Sequence, residues 1–338
     1  MPGIAARVGS GYEGSVSAGP NLPPSLRRLW LACVVLIGAL QVALAGPIPL
    51  ASTNTVPTYT LTAAQIWRLD CDKPKRFDAS ALQRLPDGSL VTLDDKTTRL
   101  FRIELTGDTG RLVATEHELF PPRAPRKPGT KAEPRPDPEG LAVDESGTVF
   151  VCEESQRRVF RYRPDTKASE LLDIDWTPAK RWFSSDMNAS WEGIAAGGGK
   201  LYLANERSRG RIIVVDATTL KVERDFQVRP PEVQAADVHY SDLCWHAGQL
   251  WVLCRESRCV LQVDAKSEKV LASFDYEAIE RDPANAYAHP YPYGFVEGLL
   301  VETDDLWLIV DNNEFPRVAD KNDRRAQLWR CPRPDRKK

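Results

Sequence analysis

The chain has 338 residues, 42% of them hydrophobic and 27% charged, with a formal net charge of -2. This is enough for one large soluble domain or two ordinary ones. A near-neutral balance argues against a nucleic-acid binder, which carries a basic stripe.

The N-terminus differs from the rest. In "PSLRRLWLACVVLIGALQVALAG", Arg27 and Arg28 precede an apolar run from Leu29 to about Leu44, and Ala43-Leu44-Ala45 follow. A basic flank, a short apolar core and an A-x-A site predict a secretory signal peptide over 1–45, cleaved near Ala45. The run is shorter than the roughly 20 residues of a spanning helix, and Gln41 interrupts it. The expectation is therefore a secreted or periplasmic protein, monomeric, with no membrane span after cleavage. Cleavage removes Arg7, Arg27, Arg28 and Glu13, making the remainder more acidic, and leaves six of seven cysteines. Residues 46–58 read as a linker, 59–333 as the folded domain and 334–338 as a basic tail.

Five related stretches follow: "ASALQRLPDGSLVTLDDKTTRLFRIE" from Ala79, "DPEGLAVDESGTVFVCEES" from Asp137, "SWEGIAAGGGKLYLANERSRGRIIVVD" from Ser190, "YSDLCWHAGQLWVLCRESRCVLQVD" from Tyr240 and "FVEGLLVETDDLWLIVDNNE" from Phe295. Aligned on Ser80, Glu139, Glu192, Asp242 and Glu297, they are spaced by 59, 53, 50 and 55 residues. A period near 50 indicates an array of one supersecondary unit. Each copy has short runs of Val, Ile, Leu, Phe and Trp split by turns such as Pro86-Asp87-Gly88 and Glu145-Ser146-Gly147. Runs such as "LWVLC" and "LWLIV" are apolar at consecutive positions, as in strands buried on both faces. In the second copy the predicted strands are Glu139–Val143, Thr148–Cys152, Arg158–Arg163 and Ser169–Ile174.

The predicted fold is an all-β, five-bladed β-propeller with four strands per blade; six blades is the alternative. The fifth copy stops after three strands at "AQLWRCP". The early segment "YTLTAAQIWRLDC" is expected to supply the fourth and close the ring, which removes a bare sheet edge. A disulfide between Cys71 and Cys331 is expected at this seam. Cys254 and Cys259 flank the turn Arg255–Arg258 and are a second candidate pair. Cys152 and Cys244 read as buried free thiols.

The hairpin geometry puts the start of one strand and the end of the next at the same edge. Glu139, Glu192, Asp242 and Glu297 then converge around the axis, with strand-end acids including Asp94, Asp95, Glu153, Glu154, Glu206, Glu256, Asp311 and Glu314 on the same face. Crowded carboxylates call for compensation. Calcium is the expected cofactor, because it accepts six to eight oxygens in flexible geometry. The bland reading is that Gly140, Gly193 and Gly298 serve close backbone approach and that the acids are satisfied by N–H groups and arginines. Long loops at 118–137, 175–190 and 275–294 rise on that face. Arg123, Arg126, Lys127, Lys180 and Arg181 in them read as counter-charges, as anion contacts or as solvated loop.

The quoted "PEGLAVDESGTVFVCEES", "WEGIA" with "LYLANERSRG", and "VEGLLVETDDLWLIVDNNE" resemble the "esterase-like activity of phytase" family and the related SdiA-regulated propeller proteins. The resemblance covers most of residues 75–331. It implies an exported propeller with calcium in its channel, and carries over to Glu139, Glu192 and Glu297. Asp242 departs from the motif by one methylene and Ser80 lacks the carboxylate.

Three functional readings follow. One is a calcium-assisted hydrolase of esters or phosphate esters, with Glu154, Glu206 or His289 as general base. No G-x-S-x-G elbow or Ser-His-Asp order is present. A second is a non-catalytic scaffold with structural calcium that binds a protein or glycan partner. A third is a lactonase-like propeller with a mixed metal shell, for which Asn205, Asn312 and Asn313 are candidates.

Overall fold

The computed structural model describes residues 55–72, 76–121, 135–186, 189–206, 210–231, 238–290 and 292–336. The predicted signal peptide lies outside them. Residues 55–338 form one compact unit. Among the described residues no helix is long and apolar enough to cross a membrane.

The strands in chain order are β1 (Thr58–Thr60) and β2 (Gln65–Cys71), then sets of four. The first set is β3 (Ala79–Arg84), β4 (Leu90–Asp94), β5 (Arg99–Thr106) and β6 (Thr109–Glu118). The second is β7 (Pro138–Val143), β8 (Val149–Glu153), β9 (Arg158–Arg163) and β10 (Ala168–Leu171). The third is β11 (Trp191–Gly197), β12 (Lys200–Asn205), β13 (Arg211–Asp216) and β14 (Val222–Phe226). The fourth is β15 (Tyr240–His246), β16 (Gln249–Cys254), β17 (Cys259–Asp264) and β18 (Lys269–Asp275). The last three are β19 (Val296–Val301), β20 (Asp305–Val310) and β21 (Ala326–Pro332).

Each set is an antiparallel meander in sequence order, and β2 pairs antiparallel with β21 to complete the last one. Strand β2 also runs parallel to β6, joining the first and last sets into one eight-stranded sheet. The predicted linker through residue 58 ends early. Strand β1 adds in parallel to the edge of β18, which covers that edge.

The first strands of the sets, β3, β7, β11, β15 and β19, touch in a closed cycle. They are buried almost throughout, as are the second strands β12, β16 and β20. The outermost strand β6 instead alternates between exposed and buried positions. Inner strands are apolar on both faces because each is covered by a neighbouring sheet. Four apolar clusters lie between the sheets, with Trp191, Trp251 and Trp329 among the largest fully buried side chains.

The register overturns the seam disulfide. Gln65 faces Arg330 and Leu69 faces Ala326, so Cys331 lies near the start of β2 while Cys71 ends it. The two lie roughly 20 Å apart along the strand, whereas disulfide Cα atoms lie within about 7 Å. Cys254 and Cys259 do face each other in register, but both are free thiols in contact rather than a disulfide.

Candidate metal and active site

A β-bulge opens every inner strand. Pro138 pairs with Glu153 and Gly140 with Cys152, leaving Glu139 as the extra residue. The same offset isolates Glu192 between Trp191 and Gly193, and Glu297 between Val296 and Gly298. In the fourth set the pairs are Tyr240 with Cys254 and Asp242 with Leu253, so the bulged residue is Ser241. In the first set the shift falls between Ala79 and Leu82, which matches Ser80 to this position. The hydroxyls support the match. Ser80 Oγ donates to the Pro138 carbonyl at 2.8 Å, and Ser241 Oγ to the Val296 carbonyl at 3.1 Å. Each reaches the first residue of the next inner strand.

Asp242 is therefore not a fourth member of the acid ring. It occupies the place held by Gly140, Gly193 and Gly298. Its carboxylate is fully buried and accepts hydrogen bonds from the backbone N–H groups of Leu243 (2.7 Å) and Leu299 (2.8 Å). It does not line the acidic cavity. The glycines themselves are needed for close approach. A Cβ on Gly193 would sit 2.6 Å from Asp242 Cα, and one on Gly298 2.7 Å from the Ala81 carbonyl carbon.

The residues just after the second strands form another tier: Asp95, Glu154, Glu206, Arg255 and Asp311. The backbone N–H groups of its four acids bond the carbonyls of Asp78, Asp137, Ser190 and Phe295, which fixes them at the mouth. Arg255 fills the fourth place where the sequence comparison puts Glu256. Both tiers meet in a cavity of about 500 Å³. Ten carboxylates line it: Asp78, Asp95, Asp137, Glu139, Glu154, Glu192, Glu206, Glu256, Glu297 and Asp311. Among the described residues, Arg76, Lys96 and Arg255 are its permanent cations.

The compensation is lopsided. Arg255 bonds Glu297 through Nη1 and Glu206 through Nη2 at 3.0 Å. His239 lies between Glu206 and Glu256, with Nδ1 2.8 Å from Glu256 Oε1 and Nε2 bonded to Glu206. On the other side Lys96 pairs with Asp95, and Arg76 with Asp78 (2.6 Å) and Glu314 (3.0 Å). The second oxygen of Asp95, Oδ1, is buried without a hydrogen-bond partner.

Two triads bring ligand oxygens within 4.8 Å of one another: Asp95 with Asp137 and Glu139, and Glu154 with Glu192 and Glu206. Burial disfavours the ionised forms of Asp95, Asp137, Glu139 and Glu192. Glu139 is raised well above the usual carboxylate range by burial and then by Glu192. Glu192 is raised by burial and then by Glu206. Asp95 is pushed up to about 7, first by burial.

Of the expected metal ligands, Glu139, Glu192 and Glu297 reach the cavity, but Glu297 is held by Arg255. Of the expected general bases, Glu154 and Glu206 line it. His289 does not. Its ring lies edge-on to Phe295, Phe315 and Tyr293, with centroids 4.4, 4.5 and 5.0 Å away. Asn313 lines the cavity, whereas Asn205 and Asn312 do not. Arg123, Arg126 and Lys127 lie outside the described residues, and Arg181 pairs with Asp225 away from the cavity. The sequence comparison missed Asp137, His239 and Arg255 as site members. The signal for each was its position one or two residues outside a repeated strand end.

The closed cycle of sheets and the acid-lined mouth define a propeller-like all-β protein. The chain belongs to the phytase-like family, described as "esterase-like activity of phytase", whose family model matches residues 78–314. Among solved structures it is similar in fold to glutaminyl cyclase of Myxococcus xanthus, at 12% identity and a TM-score of 0.53, over 82% of this chain and 99% of that one. A streptogramin B lyase structure matches at 13% identity and a TM-score of 0.43, over 78% of this chain and 86% of that one. No curated protein matches the sequence.

Proposed function

We propose that this chain is an exported, five-bladed propeller that holds calcium at its acidic mouth and hydrolyses ester or phosphate-ester substrates there. The observation that carries the reading is the excess of carboxylates among the described residues around one cavity, ten against three permanent cations. The closed cycle of inner strands supports the blade count, and the family membership supports ester chemistry.

The donor set fits a hard cation. It is mostly carboxylate, no thiol lines the cavity among the described residues, and one buried Asp95 oxygen lacks a hydrogen-bond partner. Calcium is assigned to Asp95, Asp137 and Glu139 with Glu192 alongside, because Lys96 takes one oxygen of Asp95 and leaves the other without a partner, whereas Arg255 and His239 both engage Glu206. Bound calcium supplies Lewis acidity toward a carbonyl or phosphoryl oxygen. Glu154 and Glu206 are the proposed proton acceptors for an attacking water. Arg255 fixes Glu206 and Glu297 in place by ion pairing.

Calorimetric titration of calcium into the chelator-stripped protein tests this. The expected result is saturable binding that Glu192→Gln weakens at least tenfold, together with hydrolysis of aryl esters or aryl phosphates that the same change abolishes. No heat and no change in melting temperature with chelator would sink the calcium assignment. Saturable binding without turnover of either ester class would leave a scaffold with structural calcium.

A further inference from the structure

A second cavity, of about 780 Å³, lies beside the acid mouth between the outer parts of the first and second sheets. Its character is opposite. Among the described residues, Lys96, Arg99, Arg135 and Lys167 line it, against one carboxylate, Glu118. Phe120, Pro121 and Pro136 add apolar surface. Lys96 borders both cavities, so the two are neighbours across that side chain.

Lys96 is paired with Asp95, but the pairing of the other cations leaves their charge available. Arg99 meets Glu118 at 3.1 Å, and Lys167 meets Glu116 at 2.8 Å, but all four side chains are more than half exposed. Pairs so exposed contribute little and exchange readily for a better anion. The hydroxyl of Thr97, also lining the cavity, is buried without a hydrogen-bond partner. A groove with four cations, a spare hydroxyl and a flat apolar wall suits an oxyanion attached to an apolar or aromatic body.

We propose that this groove is an oxyanion subsite for an organic anion, placed next to the acid mouth across Lys96. It deepens the hydrolase reading and in one respect rests on it. If the mouth acts on esters, the groove selects esters that carry an anionic group away from the scissile bond. The acid mouth repels such a group, so the groove gives it a separate place and sets which end of the substrate faces the carboxylates.

The test uses the full chain and pyrene tetrasulfonate, a fluorescent aromatic anion, as the probe. Saturable binding by fluorescence anisotropy is expected, weakened roughly tenfold in the Arg135→Gln/Lys167→Gln double variant, equivalent to about 1.4 kcal/mol. The calcium heat and melting temperature of the variant are expected to match the parent. Absence of saturable probe binding, or equal binding by the variant, overturns the subsite. On the substrate side, the preference in kcat/KM for a carboxylate-bearing aryl ester over its neutral methyl analogue is expected to fall by a similar factor in the variant. If neither ester turns over while the double variant still loses the probe, the subsite stands and the hydrolase reading is what fails.

Discussion

The Asp242 carboxylate accepts a 2.8 Å hydrogen bond from the backbone N–H of Leu299, tying the fourth inner strand to the fifth. This carboxylate looks outward from the acid mouth, into the wall. It satisfies two buried N–H groups, those of Leu243 and Leu299, and so acts as a structural clasp.

Asp242→Ala leaves both donors unsatisfied. Each lost partner costs about 1–3 kcal/mol, so urea unfolding is expected to show a loss of about 2–6 kcal/mol. Asp242→Asn keeps an acceptor oxygen and is expected to cost less. Calcium stoichiometry is expected to stay unchanged in Asp242→Asn, and its loss in a folded variant would return Asp242 to the ligand set.

Arg255 is the counter-charge on one side of the mouth. Arg255→Met strips Glu206 and Glu297 of their shared cation in a buried setting. Breaking such a network is expected to cost about 3–5 kcal/mol in the metal-free protein. Added calcium is expected to recover part of that loss, measured as melting temperature with and without chelator. A variant as stable as the parent would show that the arginine is dispensable to the ring.

The mouth also sets a pH dependence. Asp95 is raised to about 7, and Glu139 and Glu192 lie well above the ordinary range. A carboxyl with a raised folded pKa holds its proton more tightly folded than unfolded. Its contribution is fully present below about pH 4 and is lost as pH rises through about 7. Asp323, depressed to about 2 mainly through its Arg325 and Arg317 contacts against the opposing effect of burial, acts in the other sense but only at lower pH. Between pH 5 and 8 the metal-free protein is therefore expected to lose stability as pH rises. Calcium, by holding the carboxylates ionised, is expected to flatten that decline. Thermal melts at the two pH values with calcium or chelator check this, and a metal-free protein more stable at pH 8 would contradict it.

Gly193 has no room for a side chain, since its Cβ would lie 2.6–2.8 Å from the backbone of Asp242 and Leu243. Gly193→Ala is expected to push two inner strands apart, at a cost of about 1–3 kcal/mol or more. The equivalent change at Gly88, where nothing lies within 4 Å, meets no such contact and is limited to its turn strain at φ +86. Equal effects at the two positions would deny the close packing of the inner strands.

The sequence by itself determined that the chain repeats a four-stranded unit and that acids gather at one edge of it. Both follow from local chemistry. Consecutive apolar residues mark strands covered on both faces, and hairpin connectivity puts alternate strand ends together. It also pointed to β2 as the strand that completes the last set. What only the tertiary structure decided is which acids reach the mouth. A bulge adds one residue to each inner strand, and a one-residue slip exchanges mouth for wall. "YSDL" aligns by its acid with "WEGI", yet the register places Ser241, not Asp242, beside Glu192. The same slip replaces Glu256 with Arg255 in the second tier. Whether a carboxylate meets an arginine, a backbone N–H or an open cavity depends on neighbours about 50 residues away in the chain. No pattern within a single repeat carries that information.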